Sequence, residues 1–272
     1  MKLFDVIGQS NYLPALRQAR NDGICSLRAD MTIVFTKKAE LDSPWIVVPD
    51  SQRECLIPHS FLLPYFNIIA QDCFDCWKCV YRPPTLKKLF EVFEFQQKRG
   101  ISAKCGIERR GYSGHKGGYG AFWYVPLGSG LKEAREYTKD LNKQLSGIGA
   151  SVFLKRGCTE FENVFGPSDK WDHLREPFAE FEKGLRKYIV VENEVPLNTE
   201  AGKERELDVI QRWIIHAAEH GDPTYLEYKE KPFWAPSVTY NGSSHREEDY
   251  ASTYRTAKAE GETADRPRIA LV

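Results

Sequence analysis

Between residues 76 and 158 the apolar pattern switches back and forth between the two-residue period of a strand and the period of a helix. That succession restricts the fold more than any other feature of the chain. The stretch CWKCVY (76–81) is β-prone and halts at Pro83-Pro84. Thr85 then stands in a capping position before LKKLFEVFEFQQKRG, where Leu86, Leu89, Phe90 and Phe93 recur at helical spacing and Gly100 supplies the stop. SAKCGIERR (102–110) alternates, with Ala103, Cys105 and Ile107 on one side. The glycine-rich GYSGHKGGYG turns the chain, and AFWYVPL (121–127) returns as a strand. After Ser129 a second helical stripe runs through Leu131, Ala134, Tyr137, Thr138, Leu141 and Leu145 to Gly147, and SVFLKRGC (151–158) is the last strand.

Strand, helix, strand, strand, helix, strand is the split pattern of a ferredoxin-like fold. The sequence therefore predicts an α+β protein with a ferredoxin-like βαββαβ core over 71–162. Residues 1–70 read as an N-terminal extension packed on that core, with short strands in MTIVFTK (31–37) and PWIVVPD (44–50). The apolar PHSFLLPYFNII (58–69) is broken by prolines and reads as an irregular covering segment. Residues 163–240 predict two C-terminal helices, the second carrying Leu207, Ile210, Trp213, Ile214 and Ala217 as its apolar stripe. Residues 241–272 are polar with few large apolar groups. They predict an extended or disordered tail that docks on a protein partner or a second copy of the chain.

Seven cysteines are an odd number, and DCFDCWKC places three of them at C-x2-C-x2-C spacing. Thiolates suit iron–sulfur clusters and zinc because both are soft enough to prefer sulfur. The spacing resembles that of bacterial ferredoxins, with Pro83 where the fourth local cysteine would stand. Remote ligands are therefore needed. In a 4-1-3-2 sheet, Cys158 at the end of the fourth strand lies beside the start of the first, and Cys105 lies about 10 Å away across two strand spacings. The resulting expectation is an iron–sulfur cluster, with zinc as the alternative, held by Cys73, Cys76, Cys105 and Cys158. Cys79 is an alternative ligand despite its strand parity. Buried thiols packing as small hydrophobes are the bland reading, and the isolated Cys25 and Cys55 read as core residues.

The matching role is a cytoplasmic subunit of a larger assembly that transfers electrons or uses the cluster as structural support. Lysine plus arginine equals aspartate plus glutamate at 38 each, which argues against nucleic-acid binding and fits life in an assembly. KGGYGAFWYV (116–125) nonetheless resembles the RNP1 motif of RNA-recognition modules, with Ala121 where a stacking aromatic belongs, so an RRM-like RNA-binding module is a further alternative. The charged strand residues, among them Lys78, Lys104, Lys155 and Arg156, read as a solvated sheet face. If they instead line a site, the chain is a metal-free enzyme or ligand-binding module, with Glu108, Arg110 and His115 as catalytic candidates. His216, Glu219 and His220 match the H-x-x-E-H zinc-hydrolase spacing, but such enzymes take a further acidic ligand from a substantial downstream domain, and this chain soon enters its polar tail. His220 beside Gly221 also reads as a cation at a helix end. The N-terminus has no signal-peptide run, and no stretch of eighteen apolar residues suggests a membrane span.

Overall fold

The computed structural model describes residues 12–37, 43–48, 55–108, 118–193, 199–229 and 232–233, which form an α+β arrangement with two sheets. Arg110, His115 and the tail 241–272 lie outside the described residues. In chain order come α1 (Leu13–Asn21), β1 (Ser26–Leu27), β2 (Ile33–Lys37) and β3 (Trp45–Val48). Then follow β4 (Trp77–Tyr81), α2 (Leu86–Arg99), β5 (Ala103–Ile107), β6 (Tyr119–Tyr124), α3 (Leu131–Leu145) and β7 (Phe153–Arg156). The C-terminal half adds α4 (Thr159–Phe165), α5 (Arg175–Arg186), β8 (Ile189–Asn193) and α6 (Thr199–Glu219).

The larger sheet has the order β3-β5-β6-β4-β7, and every pairing in it is antiparallel. Strand parity divides it into two faces. Cys79, Ala103, Cys105, Ile107, Tyr119, Ala121 and Trp123 point into a core filled from α2, α3 and α6. The helix α6 contributes Val209, Trp213, Ile214 and Ala217, while Leu207, placed on its apolar stripe by spacing, is exposed. Trp213 Nε1 donates to the Pro44 carbonyl at 2.8 Å, which ties α6 to the strand at the sheet edge. PWIVVPD thus supplies a fifth strand to this sheet, whereas MTIVFTK supplies the centre of the other one.

The first turn of α2 is satisfied by side chains, as a helix start requires. Thr85 Oγ1 accepts from Lys88 N, Thr224 Oγ1 accepts from Lys87 N at 3.2 Å, and Asp222 Oδ2 accepts from Leu86 N at 2.5 Å. Asp222 is 8% exposed and also accepts from Tyr119 OH, Thr224 N and Thr224 Oγ1. Residues from beyond α6 therefore cap a helix more than a hundred positions upstream. Asp222→Ala leaves several buried donors unpaired and is expected to lower stability by about 3 kcal/mol. The check is a lower urea midpoint at unchanged slope.

The second sheet, β1-β2-β8, pairs β2 with β8 in parallel, Ile33 opposite Ile189. Its core joins Phe35, Phe61, Phe66, Phe74, Phe161 and Trp171. Here β8 occupies the apolar end of a stretch that reads by spacing as helix. The helix stops at Arg186, and the β-branched Ile189-Val190-Val191 is better accommodated beside β2. The proline-broken segment forms a π-helical turn at Pro58–Leu62 and a short helix at Leu63–Phe66.

Candidate metal centre

Cys73 lies in the single helical turn Gln71–Phe74, and Cys76 lies immediately before β4. This short loop is held from several sides. Arg156 Nε donates to the Phe74 carbonyl at 2.6 Å, and its other nitrogens reach Ser168 O and Asp172. Arg175 forks onto Asp75 at 2.7 and 2.8 Å and lies over the Phe74 ring. Gln71 N donates to Glu182, a residue 4% exposed that also receives Arg186. Such bidentate and charge-assisted contacts fix a loop geometrically as well as energetically.

Cys158 arrives from the end of β7, past Gly157, whose N–H donates to Cys76 O at 2.8 Å. Gly157 has φ +62, and a Cβ there would meet Trp171 ring carbons at 2.6 and 2.8 Å. Cys158 Sγ receives Lys78 Nζ at 3.2 Å and a hydrogen bond from His59, which sits in the π-helical turn. π-helical turns recur at functional sites.

Lys78 is 7% exposed. Its parity sets it, with Lys104, Phe122 and Tyr124, on the sheet face opposite α2 and α3. Lys104 Nζ lies 4.6 Å from the Trp45 ring centre, and Lys78 Nζ lies 5.5 Å from that of Phe122. The face read from sequence as solvated is therefore enclosed at this end. Phe122 is buried as well, so it offers no open stacking platform of the kind RNA recognition needs.

Burial and neighbouring charges act on each thiol. Burial pushes the Cys73 thiol up, and the neighbouring Cys76, Cys158 and Cys55 push it further. Cys55 is exposed as a residue, yet burial of its sulfur raises the thiol to about 11, with Cys158 and Cys76 adding to the rise and Lys104 and Lys78 opposing it. Burial also acts to raise Cys158, but the Lys78 ammonium and the hydrogen bond and charge of His59 outweigh it and bring the thiol down to about 6. Lys78 would lose its proton more easily through burial, but the Cys158, Tyr124 and Cys76 groups hold it charged. Lys104 is lowered by burial and by the Lys78 charge. Lys78 and Cys158 thus each favour the charged form of the other.

Cys73, Cys76 and Cys158 come together as the strand order requires. Cys105 does not join them: it is fully buried between Ile46 and Ala121 on the helix-packed face, where burial and then Glu206 raise its thiol. Its odd position in β5, shared with Ala103 and Ile107, sends it to the wrong side of the sheet. Cys79 is on that same side, with Sγ 3.2 Å from Thr138 Oγ1. Cys55, read from sequence as a core residue, is exposed, and it is the other thiol whose charge acts on Cys73. No local spacing signals it. Glu108, a catalytic candidate, pairs with Arg82 at 3.7 Å.

Among the described residues, the one group of three potential ligands whose atoms all lie within 4.8 Å of one another is His216, Glu219 and His220. No three of the four sulfurs are that close. A single zinc with sulfurs at 2.3 Å holds them about 3.8 Å apart, whereas a multinuclear cluster spreads its thiolates more widely. No protein-family model, curated protein or solved structure matches the chain. Among the described residues, no helix is long and apolar enough to cross a membrane.

Proposed function

We propose that the chain binds an iron–sulfur cluster through Cys55, Cys73, Cys76 and Cys158. The observation that carries this reading is the convergence of four thiols from three separate segments beside buried Lys78. Burial and the neighbouring sulfurs keep Cys73 and Cys55 protonated, and a bound cation would take them as thiolates instead. Their spacing favours a cluster over zinc. Lys78 and Lys104 supply positive charge in an apolar surround. Both favour the more negative, reduced form and so shift the potential upward relative to a centre lacking them.

The strand order β7-β4-β6-β5, with α2 and α3 on one face, supports a ferredoxin-like βαββαβ core to which β3 adds an edge strand. Val47 and Phe153 are about half exposed on the two edge strands of the opposite face. They fit a cytoplasmic subunit that docks in a larger assembly and transfers electrons there or gains rigidity from its cluster. Anaerobically purified or reconstituted protein is expected to be brown and to carry roughly four irons and four acid-labile sulfides per chain. Colourless protein without iron after reconstitution overturns the proposal, and zinc without sulfide replaces it.

The Lys78–Cys158 contact favours a second reading, a nucleophilic thiolate. In metal-free protein, the alkylation rate of Cys158 is expected to rise with a midpoint near pH 6 and to level off above it, because a lowered thiol is already ionised there. Lys78→Met removes the cation and moves that midpoint up toward 9.0, the ordinary thiol value. Rate profiles that coincide for the two proteins exclude this reading.

A further inference from the structure

The helix α6 ends in a second constellation, away from the thiols. His216, Glu219 and His220 stand at i, i+3 and i+4, so they share one helix face, and one ligand atom from each lies within 4.8 Å of the others. Three protein ligands on a tetrahedral zinc, at about 2.1 Å each, stand about 3.4 Å apart. The two rings already touch, with centroids 3.9 Å apart and planes inclined by 35°. His220 and Glu219 are exposed and have room for the remaining closure, while His216 is half-buried against Tyr119.

Two further features match a cation. His220 Nδ1 lies 2.9 Å from the His216 carbonyl oxygen, so that nitrogen carries the proton and donates. The lone pair then falls on Nε2, the arrangement in which an imidazole with a fixed outer hydrogen bond serves as a metal ligand. The group also sits in the last turn of a 21-residue helix, where the carbonyl end carries partial negative charge and favours a positive ion.

We infer that His216, Glu219 and His220 form a binding site for a divalent transition-metal ion of the zinc class, separate from the thiol centre and with a coordination position left for solvent or a partner's side chain. Nitrogen and carboxylate ligands suit zinc, cobalt and nickel, and a pair of histidines one turn apart on a helix is a recurrent zinc-binding arrangement.

The probe is cobalt(II), followed by its absorption spectrum in the full-length chain, because thiolate ligation adds a strong sulfur-to-cobalt charge-transfer band that nitrogen and oxygen ligation lacks. The expected result is one bound equivalent without the sulfur band, displaced by zinc and retained in Cys158→Ser. His220→Ala is expected to weaken binding at least about 100-fold, beyond the effect of losing an outer-shell partner. Glu219→Gln, on the exposed surface, is expected to weaken it about tenfold with unchanged circular dichroism. Absence of a sulfur-free equivalent overturns the site, as does undiminished binding in both variants.

Discussion

Replacing Cys55, Cys73, Cys76 or Cys158 by serine, one at a time, is expected to cut the iron content of the purified protein at least about tenfold, while Cys79→Ser and Cys105→Ser leave it near the parent level. The contrast follows from the two faces of one sheet. Cys79 and Cys105 point into the packed side against α2, α3 and α6, whereas Cys158 and Cys76 act on Lys78, and Cys73 and Cys55 are coupled to those two sulfurs. Cys105→Ser is the informative control. It places a hydroxyl in a fully buried apolar position, so it is expected to lower stability by about 1–2 kcal/mol without releasing iron. Cys55→Ser is expected to do the reverse, because the residue is exposed and contributes little packing. Iron and sulfide analysis beside a urea melt for each variant separates the two effects. Iron lost in Cys105→Ser and kept in Cys55→Ser overturns the ligand set.

Gly157→Ala is expected to cost about 3 kcal/mol and to empty the centre together. A left-handed backbone costs an alanine about 1 kcal/mol or more. The added methyl would stand 2.6 Å from Trp171, and overpacking adds about 1–3 kcal/mol. Trp171 cannot step aside cheaply. It is fully buried, donates from Nε1 to Gly166 O at 2.9 Å, and meets Phe74 and Phe161 edge-on. Relief must therefore come from the chain on either side of Gly157, which carries Cys158 on one side and Arg156, the anchor of the Cys73 loop, on the other. A variant with a parental melting midpoint and full iron content would contradict the argument.

The strands and helices between residues 76 and 158 were legible because each is bounded by local chemistry: Pro83-Pro84, the Thr85 cap, Gly100 and the glycines after β5. The same local reading placed Cys73, Cys76 and Cys158 near one another. Sheet proximity alone brings Cys105 to the same end, but the alternation Ala103, Cys105, Ile107 marks its side of the sheet as the core. Cys55 was beyond reach for a different reason. Its position depends on how the segment 55–66 packs on Phe161, Trp171 and α5 and not on any spacing within the segment. The strand β8 was missed because a parallel partner leaves no hairpin signal nearby.

The pairing of β2 with β8, Ile33 beside Ile189, has a consequence in time. During synthesis Cys55, Cys73 and Cys76 leave the ribosome long before Cys158, and the layer that backs them, from Trp171 to β8, comes later still. Contacts of such long sequence separation form slowly. A cofactor bound as proposed would therefore find its site complete only after Cys158 and the layer up to β8 have folded onto the earlier segments.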